Sequence, residues 1–273
     1  MLTTTLTAGG AWLGSAGQPF ATADAYASFR YQQSAVYLAA ASTEMPALTL
    51  IQDVVMSAFT AKINLQGEQL VPYRANPTGN RYLLRYTIGG VPPVVFGFTG
   101  LNPDASGYDP ATSPALFFGL STSDGFKILI EPIIVADYER EDVCLYARWD
   151  GAGLSVWRQL AGGPLTQLGA TVAQTGTLTL PAGTQILTIG GSGNLPEFFR
   201  GILYDFQLWN TARSTAQMAQ FAFMEPAPTS PGLLYKVRFD GASGDTTCLA
   251  DPDGQSIVAD VTFVSHPTVY RLR

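Results

Sequence analysis

Apolar and polar residues alternate along much of this chain. Between residues 55 and 65, Phe59, Ala61, Ile63 and Leu65 fall on one face and Thr60, Lys62 and Asn64 on the other. A period of two is that of a half-buried β-strand. Residues 81–88, closed by Gly89-Gly90, and residues 125–136 and 143–149 read the same way. Asp150-Gly151 then marks a hairpin turn into a strand over 154–159. Further strands are predicted over 175–180, 185–189, 201–209, 232–239 and 256–264, about ten in all. Gly162-Gly163-Pro164, Pro181-Ala182-Gly183, Gly190-Gly191-Ser192-Gly193 and Asp253-Gly254 separate them.

Helix is scarce. One segment, 214–223, has Ser214 as N-cap and Met218, Phe221 and Met224 at helical spacing, and Pro226 and Pro228 end it. Residues 1–30 are rich in Ala, Gly and Thr and read as an N-terminal arm or as edge strands. Residues 31–273 read as a single domain, with 102–114 as a long internal loop and 226–231 as a Pro-rich crossover. Many short strands, Gly/Pro turns and one short helix in the C-terminal half predict an all-β fold, a jelly-roll β-sandwich.

The run Gly201-Ile202-Leu203-Tyr204-Asp205-Phe206-Gln207-Leu208-Trp209 continues as Asn210-Thr211-Ala212-Arg213-Ser214. It resembles the closing motif of laminin-G-like and pentraxin-like domains of the concanavalin A-like superfamily. There a Gly opens a strand, a Trp ends it, and an Asn-x-x-Arg-Ser turn leads into a short helix. The hairpin across Asp150-Gly151, the strand ending at Gly190-Gly191 and the return segment from Gly232 to Gly241 follow in that family's order. The resemblance is good over residues 143–254 and weaker before them. It implies a concanavalin A-like jelly roll, but no single activity, because the family holds sugar binders, protein binders and hydrolases. Alternation places Ile202, Tyr204, Phe206 and Leu208 on one face, of which Ile202, Phe206 and Leu208 read as inter-sheet core. Leu203, Asp205, Gln207 and Trp209 fall on the other face, with Asp205 as a hydrogen-bonded structural residue.

Composition removes several chemistries. The single histidine, His266, stands beside Pro267 near the C-terminus, a poor place for a triad base. One His and two Cys match no zinc, haem or iron–sulfur pattern. Charged residues make up 13% of the chain, against about a quarter in ordinary proteins. The net charge is −6 and no Lys/Arg cluster is present, so no nucleic-acid partner is expected. No apolar run reaches the roughly 20 residues of a membrane span.

Four constellations carry candidate chemistry. Asp137, Glu139 and Glu141 alternate, and on a strand they would share a face, as the paired carboxylates of a retaining glycoside hydrolase must. Glucanases of the resembled superfamily use the order Glu-x-Asp-x-Glu. Here the order is Asp-x-Glu-x-Glu in an all-polar run, which reads rather as a solvated turn. Asn102, Asp104 and Asp109, with Asp124 beyond, offer loop oxygens of the kind that suit Ca²⁺, with turn-forming Asp as the alternative. Trp12, Tyr73, Tyr108 and Tyr138 fall in predicted loops and are the candidate sugar-stacking aromatics, whereas Trp149, Trp157 and Trp209 fall in strands and read as packing. Cys144 and Cys248 could form one disulfide or remain two buried thiols.

The leading functional reading is a non-catalytic, lectin-like or laminin-G-like module that recognises a glycan or a protein surface. The alternative is a structural or adhesion component of a virus particle or secreted assembly, with residues 1–30 pairing with a neighbour in a homo-oligomer. A second alternative is a glycoside hydrolase using Asp137, Glu139 and Glu141. The expected location is extracellular or virion-associated. Met1-Leu2-Thr3-Thr4-Thr5 lacks the basic start and apolar stretch of a secretory leader, so either export takes another route or the protein leaves its cell by lysis or assembly.

Overall fold

The structure, a computed structural model, describes residues 54–67, 80–88, 91–101, 113–139, 141–180, 185–189, 201–224 and 230–238. Shorter stretches lie at 12–13, 19–20, 34–38, 43–44, 226–227 and 262–265, with single residues at 107, 109 and 199. Two short strands, β1 (Trp12–Leu13) and β2 (Pro19–Phe20), pair with each other. The rest of the predicted arm lies outside the described residues. Next come β3 (Ser34–Leu38), β4 (Thr43–Glu44), β5 (Val54–Met56), β6 (Phe59–Gly67), β7 (Arg81–Ile88) and β8 (Val91–Thr99). The hairpin β9 (Ala115–Thr122) and β10 (Gly125–Pro132) follows, then a 3₁₀ turn at Val135–Asp137, β11 (Val143–Trp149) and β12 (Gly153–Leu160). β13 (Leu165–Ala173), β14 (Leu178–Leu180), β15 (Gln185–Ile189) and β16 (Gly201–Trp209) precede the helix α1 (Thr215–Phe221). β17 (Leu233–Arg238) and β18 (Thr262–Ser265) come last.

Two antiparallel sheets face each other. One has the order β10-β9-β8-β7-β15-β4, the other β13-β12-β11-β6-β16-β3-β18 with β17 also paired to β16. Between them lies one apolar core that includes Phe59, Ile63, Phe96, Phe118, Leu145 and Phe206. Phe59 of β6 meets Phe118 of β9 across the gap, with ring centroids 5.7 Å apart. This is the predicted all-β jelly-roll sandwich, with one short α-helix among the described residues.

Phe59, Ala61, Ile63 and Leu65 point into the core, as alternation requires. The helix begins one residue past Ser214, whose hydroxyl accepts the Gln217 N–H while the Gln217 side chain accepts the Ser214 N–H. That reciprocal pair satisfies two amides at the helix start.

Three local readings change. Strand β10 stops at Pro132 rather than at 136, and the chain turns through the 3₁₀ segment. Strand β16 carries a bulge: its register with β6 shifts between Leu203 and Asp205. The extra residue moves Leu203 opposite Leu65 and into the core, although strict alternation puts it on the polar face. Strand β13 escapes the pattern because it shows no clear apolar face; most of its residues are half-exposed or exposed.

The polar faces of β6, β11 and β16 are buried too. Cross-strand rows run Cys144–Asn64–Asp205, Tyr146–Lys62–Gln207 and Arg148–Thr60–Trp209. Helix α1 and the segment leading to it lie over these rows. Tyr146 Oη donates to the Met218 carbonyl at 2.7 Å, Arg148 Nε to the Arg213 carbonyl at 3.0 Å, and Thr60 Oγ1 to the Thr211 carbonyl at 2.9 Å. Arg213 stacks over the Trp209 and Phe221 rings, 5.1 and 5.6 Å from their centroids. Beneath, Lys62 Nζ lies 3.1 Å from Asp205 Oδ2, with both side chains buried, and Gln207 Nε2 donates to the same oxygen at 2.6 Å. Asp205 is thus a structural residue, as expected. Burial pushes the Cys144 thiol up to about 12. Cys144 is a free buried thiol, and Cys248 lies outside the described residues.

Candidate functional site

The covered outer face of the larger sheet leaves the outer face of the six-stranded sheet as the place to seek a binding surface. In β10, Leu129 points into the core. Phe126, Ile128 and Ile130, at alternate positions, point the other way and are 50%, 41% and 55% exposed. Large apolar side chains grouped on a surface mark interaction sites more often than isolated ones do. Behind this stripe the cross-strand rows continue as Gly119 and Val95 beside Ile128, and as Phe117 and Gly97 beside Ile130. Val95 and Phe117 are buried, so the stripe is the open rim of an apolar layer. Gly119 has a packing reason: a Cβ there would stand 2.6 Å from Cζ of Phe126 and 2.8 Å from Cγ2 of Val95. The missing side chain lets the Phe126 ring lie over the β9 backbone.

One end of the stripe is polar. The β9–β10 turn, Thr122-Ser123-Asp124-Gly125, is held against residues 174–177. Thr122 Oγ1 donates to the Thr175 carbonyl at 2.7 Å, and Ser123 N to the Thr177 carbonyl at 2.9 Å. Asp124 accepts the Thr175 hydroxyl at 2.6 Å and the Ser123 hydroxyl at 3.3 Å. The buried Gln174 side chain donates to Thr122 Oγ1 and, at 3.0 Å, to the Gly125 carbonyl, while the Gln174 backbone carbonyl accepts from Trp149 Nε1 at 2.8 Å. A core tryptophan thereby anchors the loop that orients the turn. Gly125, at φ +99°, supplies the left-handed conformation that closes the hairpin. An exposed ring is the chemistry that stacks on a sugar's C–H face, and a carboxylate and hydroxyls in the adjoining turn are the chemistry that hydrogen-bonds sugar hydroxyls.

The predicted site residues are scattered. Asp124 lies in this turn, and Asp109 is exposed in the preceding loop. Asn102, Asp104, Tyr73 and Tyr108 lie outside the described residues, as does the side chain of Trp12 in β1. Among the described residues no three His, Cys, Asp or Glu side chains converge to hold a metal ion. Tyr138 is buried, edge-on to Phe98 at 5.3 Å between centroids and under Arg158 at 5.4 Å, so its ring offers no stacking face. Its loop position suggested exposure, but the chain folds back there and seats the ring in the core. Burial pushes the Tyr138 hydroxyl up to about 12, although the Arg158 cation pulls the other way.

Asp137, Glu139 and Glu141 do not share a strand face. Asp137 ends the 3₁₀ turn and binds Arg158 Nη1 at 2.7 Å. Glu139 forms an isolated parallel bridge with Gly67, and Glu141 is exposed ahead of β11. The solvated-turn reading describes this segment better than the strand reading.

Sequence reasoning passed over Phe126, Ile128 and Ile130. With Leu129 between them, the run is apolar on both faces, so alternation does not tell the open face from the covered one. The available signal was the flanking Lys127 and Glu131, which are unusual in a strand buried on both faces.

Among the described residues, no helix is long and apolar enough to cross a membrane. No protein-family model and no curated protein sequence matches this chain. Solved structures do match its fold. A candidate carbohydrate-binding protein from Bacteroides ovatus aligns at 14% identity and a TM-score of 0.50, over 86% of this chain and 60% of its own. This chain thus spans less than two thirds of that protein's length. A heptameric SAP-like pentraxin from Limulus polyphemus aligns at 15% identity and a TM-score of 0.51, over 86% of this chain and 94% of its own. Mouse laminin α1 domains LG4-5 align at 10% identity and a TM-score of 0.39, over 67% of this chain and 44% of theirs. The two-sheet jelly roll is thus a fold this chain has in common with the pentraxin.

Proposed function

We propose that this chain is a non-catalytic recognition module that binds a glycan at the β9–β10 end of its six-stranded sheet. The observation that carries the reading is the half-exposed Phe126 ring, set over Gly119 in the strand that follows the polar Thr122–Gly125 turn. The ring supplies an apolar stacking surface, and the turn supplies acceptors and donors at fixed spacing. Arg158 holds Asp137, and the alternating carboxylates sit on a turn, so recognition fits these residues better than glycoside hydrolysis. The likeness to a candidate carbohydrate-binding protein from Bacteroides ovatus points the same way. A module of this kind works where glycans are displayed, outside a cell or on a virus particle.

The test is a glycan array followed by titration calorimetry, run with calcium and again with a chelator. Stacking of a nucleobase on an aromatic ring is worth about 1–3 kcal/mol; on that scale Phe126→Ala should weaken binding by about 5- to 150-fold. Asp124→Asn should weaken it less. A wild-type chain that retains no glycan under either condition, or that binds equally well as Phe126→Ala, overturns the proposal. Loss of binding in chelator alone would add calcium as a requirement, with Asn102, Asp104, Asp109 and Asp124 as the residues to vary.

A further inference from the structure

The outer face of β10 is polar at one end and hydrocarbon along the rest. Both charges of the strand, Lys127 and Glu131, alternate with the stripe and so fall on the side of Leu129, which points into the core. Glu131 agrees with that phase: a Cβ on Gly169, in β13 of the facing sheet, would collide with its carboxylate. The residues beside the stripe follow the same division. Phe126 pairs with Ser121, one residue before the polar Thr122–Gly125 turn. From Ile128 the cross-strand row runs through Gly119 and Val95 to Arg85, and from Ile130 through Phe117 and Gly97 to Tyr82. Among the described residues neither row holds a hydrogen-bonding side chain before β7, three strand spacings or roughly 14 Å away.

This division bears on what a bound glycan can be. A sugar stacked on Phe126 has hydrogen-bonding groups in the adjoining turn. Along the strand, Ile128 and Ile130 follow at about 7 and 13 Å. Isoleucine offers no ring face, and a hydroxyl laid on it without a partner gives up water and gains nothing. A methylene laid there gains by leaving water.

We propose that the ligand of this face is a glycan bearing a hydrocarbon chain, an alkyl or acyl group linked to the sugar, with the chain running along β10 over Ile128 and Ile130. The proposal rests on the glycan reading above and adds the class of glycan to it. Sugars that carry only hydroxyls would use Phe126 and leave the two exposed isoleucines without a role. The division between turn and stripe matches the division between head and chain in one ligand.

The probes are the methyl and octyl glycosides of glucose, galactose, mannose and N-acetylglucosamine, and octan-1-ol. Each is titrated into the full chain below any micelle concentration, with calcium and again with a chelator. A fully buried methylene multiplies affinity by about fourfold. A chain with one side on the stripe should therefore make at least one octyl glycoside bind about tenfold or more tighter than its methyl counterpart. Ile128→Ser and Ile130→Ser should each shrink that octyl-to-methyl ratio by about threefold or more, whereas Phe126→Ala should weaken both members of the pair. Both isoleucines are exposed, and circular dichroism checks that each variant folds. Methyl glycosides that bind while octyl ones bind no tighter overturn this inference and leave the glycan reading standing. A ratio indifferent to both isoleucine changes, or no octyl glycoside bound at all, also overturns it. Octan-1-ol bound as tightly as the octyl glycosides, with no methyl glycoside bound, overturns both readings, because the sugar then contributes nothing.

Discussion

At Gly151 the backbone runs at φ +86°, and a Cβ there would stand 2.6 Å from the Ser57 carbonyl oxygen. Both conditions exclude a side chain. Next to it, Asp150 Oδ1 accepts the Ala152 and Gly153 amides at 3.1 and 2.9 Å, which fixes the turn between β11 and β12. Burial alone would raise the Asp150 carboxyl, but those amides and the Arg148 cation together hold it below its usual value. Gly151→Ala should therefore destabilise the fold by about 1–3 kcal/mol, read as a lower urea midpoint with an unchanged slope. Unchanged stability would mean that the turn relaxes around a side chain. Tyr138 teaches a related lesson. An aromatic flanked by Asp137 and Glu139 looks solvated in sequence, yet Arg158 neutralises Asp137 and covers the ring, so the tyrosine goes inside.

Single elements show how much of the fold was legible. The β6 alternation was, because its inward residues meet a continuous core. So was α1, because Ser214 and Gln217 close a capping box that has a sequence signature. The bulge in β16 was not: nothing in the run around Tyr204 distinguishes an extra residue from a regular one, and the phase change becomes visible only against Leu65 and Asn64. Nor could period two reveal what covers the polar side of β6. It separates two faces without saying whether water or chain lies on the second. The candidate binding stripe on β10 failed for the converse reason, an apolar face left open. The covered side makes a clear prediction. Lys62→Met strands the buried Asp205 carboxylate and should cost about 3–5 kcal/mol in denaturant unfolding. The double variant K62M/D205L should lose clearly less than the two single changes summed. Full additivity would show that the pair is not coupled.

For the whole molecule, the two outer faces have opposite fates. The larger sheet is covered by a later part of its own chain, residues 210–224, while the smaller sheet keeps an apolar rim at β10. The low charge content fits both: one face hides polar rows and the other offers hydrocarbon. Cys144 reports on the covered face. Its thiol is buried beside Tyr146 and titrates near 12, so little thiolate is present at neutral pH. In a Cys248→Ser background, a thiol reagent should label Cys144 only as fast as the covering segment opens, slowing in stabilising osmolyte. Immediate labelling of folded protein would contradict the burial described.

The Lys62–Asp205 pair gives that cover a further property. Two charges in a dry layer are tolerable only while they hold each other and while α1 and its flanks keep solvent out. Lifting the segment hydrates both at once and removes the reason for either to stay beneath it. Separating the pair leaves each charge seeking water and pushes the segment off. Hydration of the pair and loss of the cover are therefore one event rather than two.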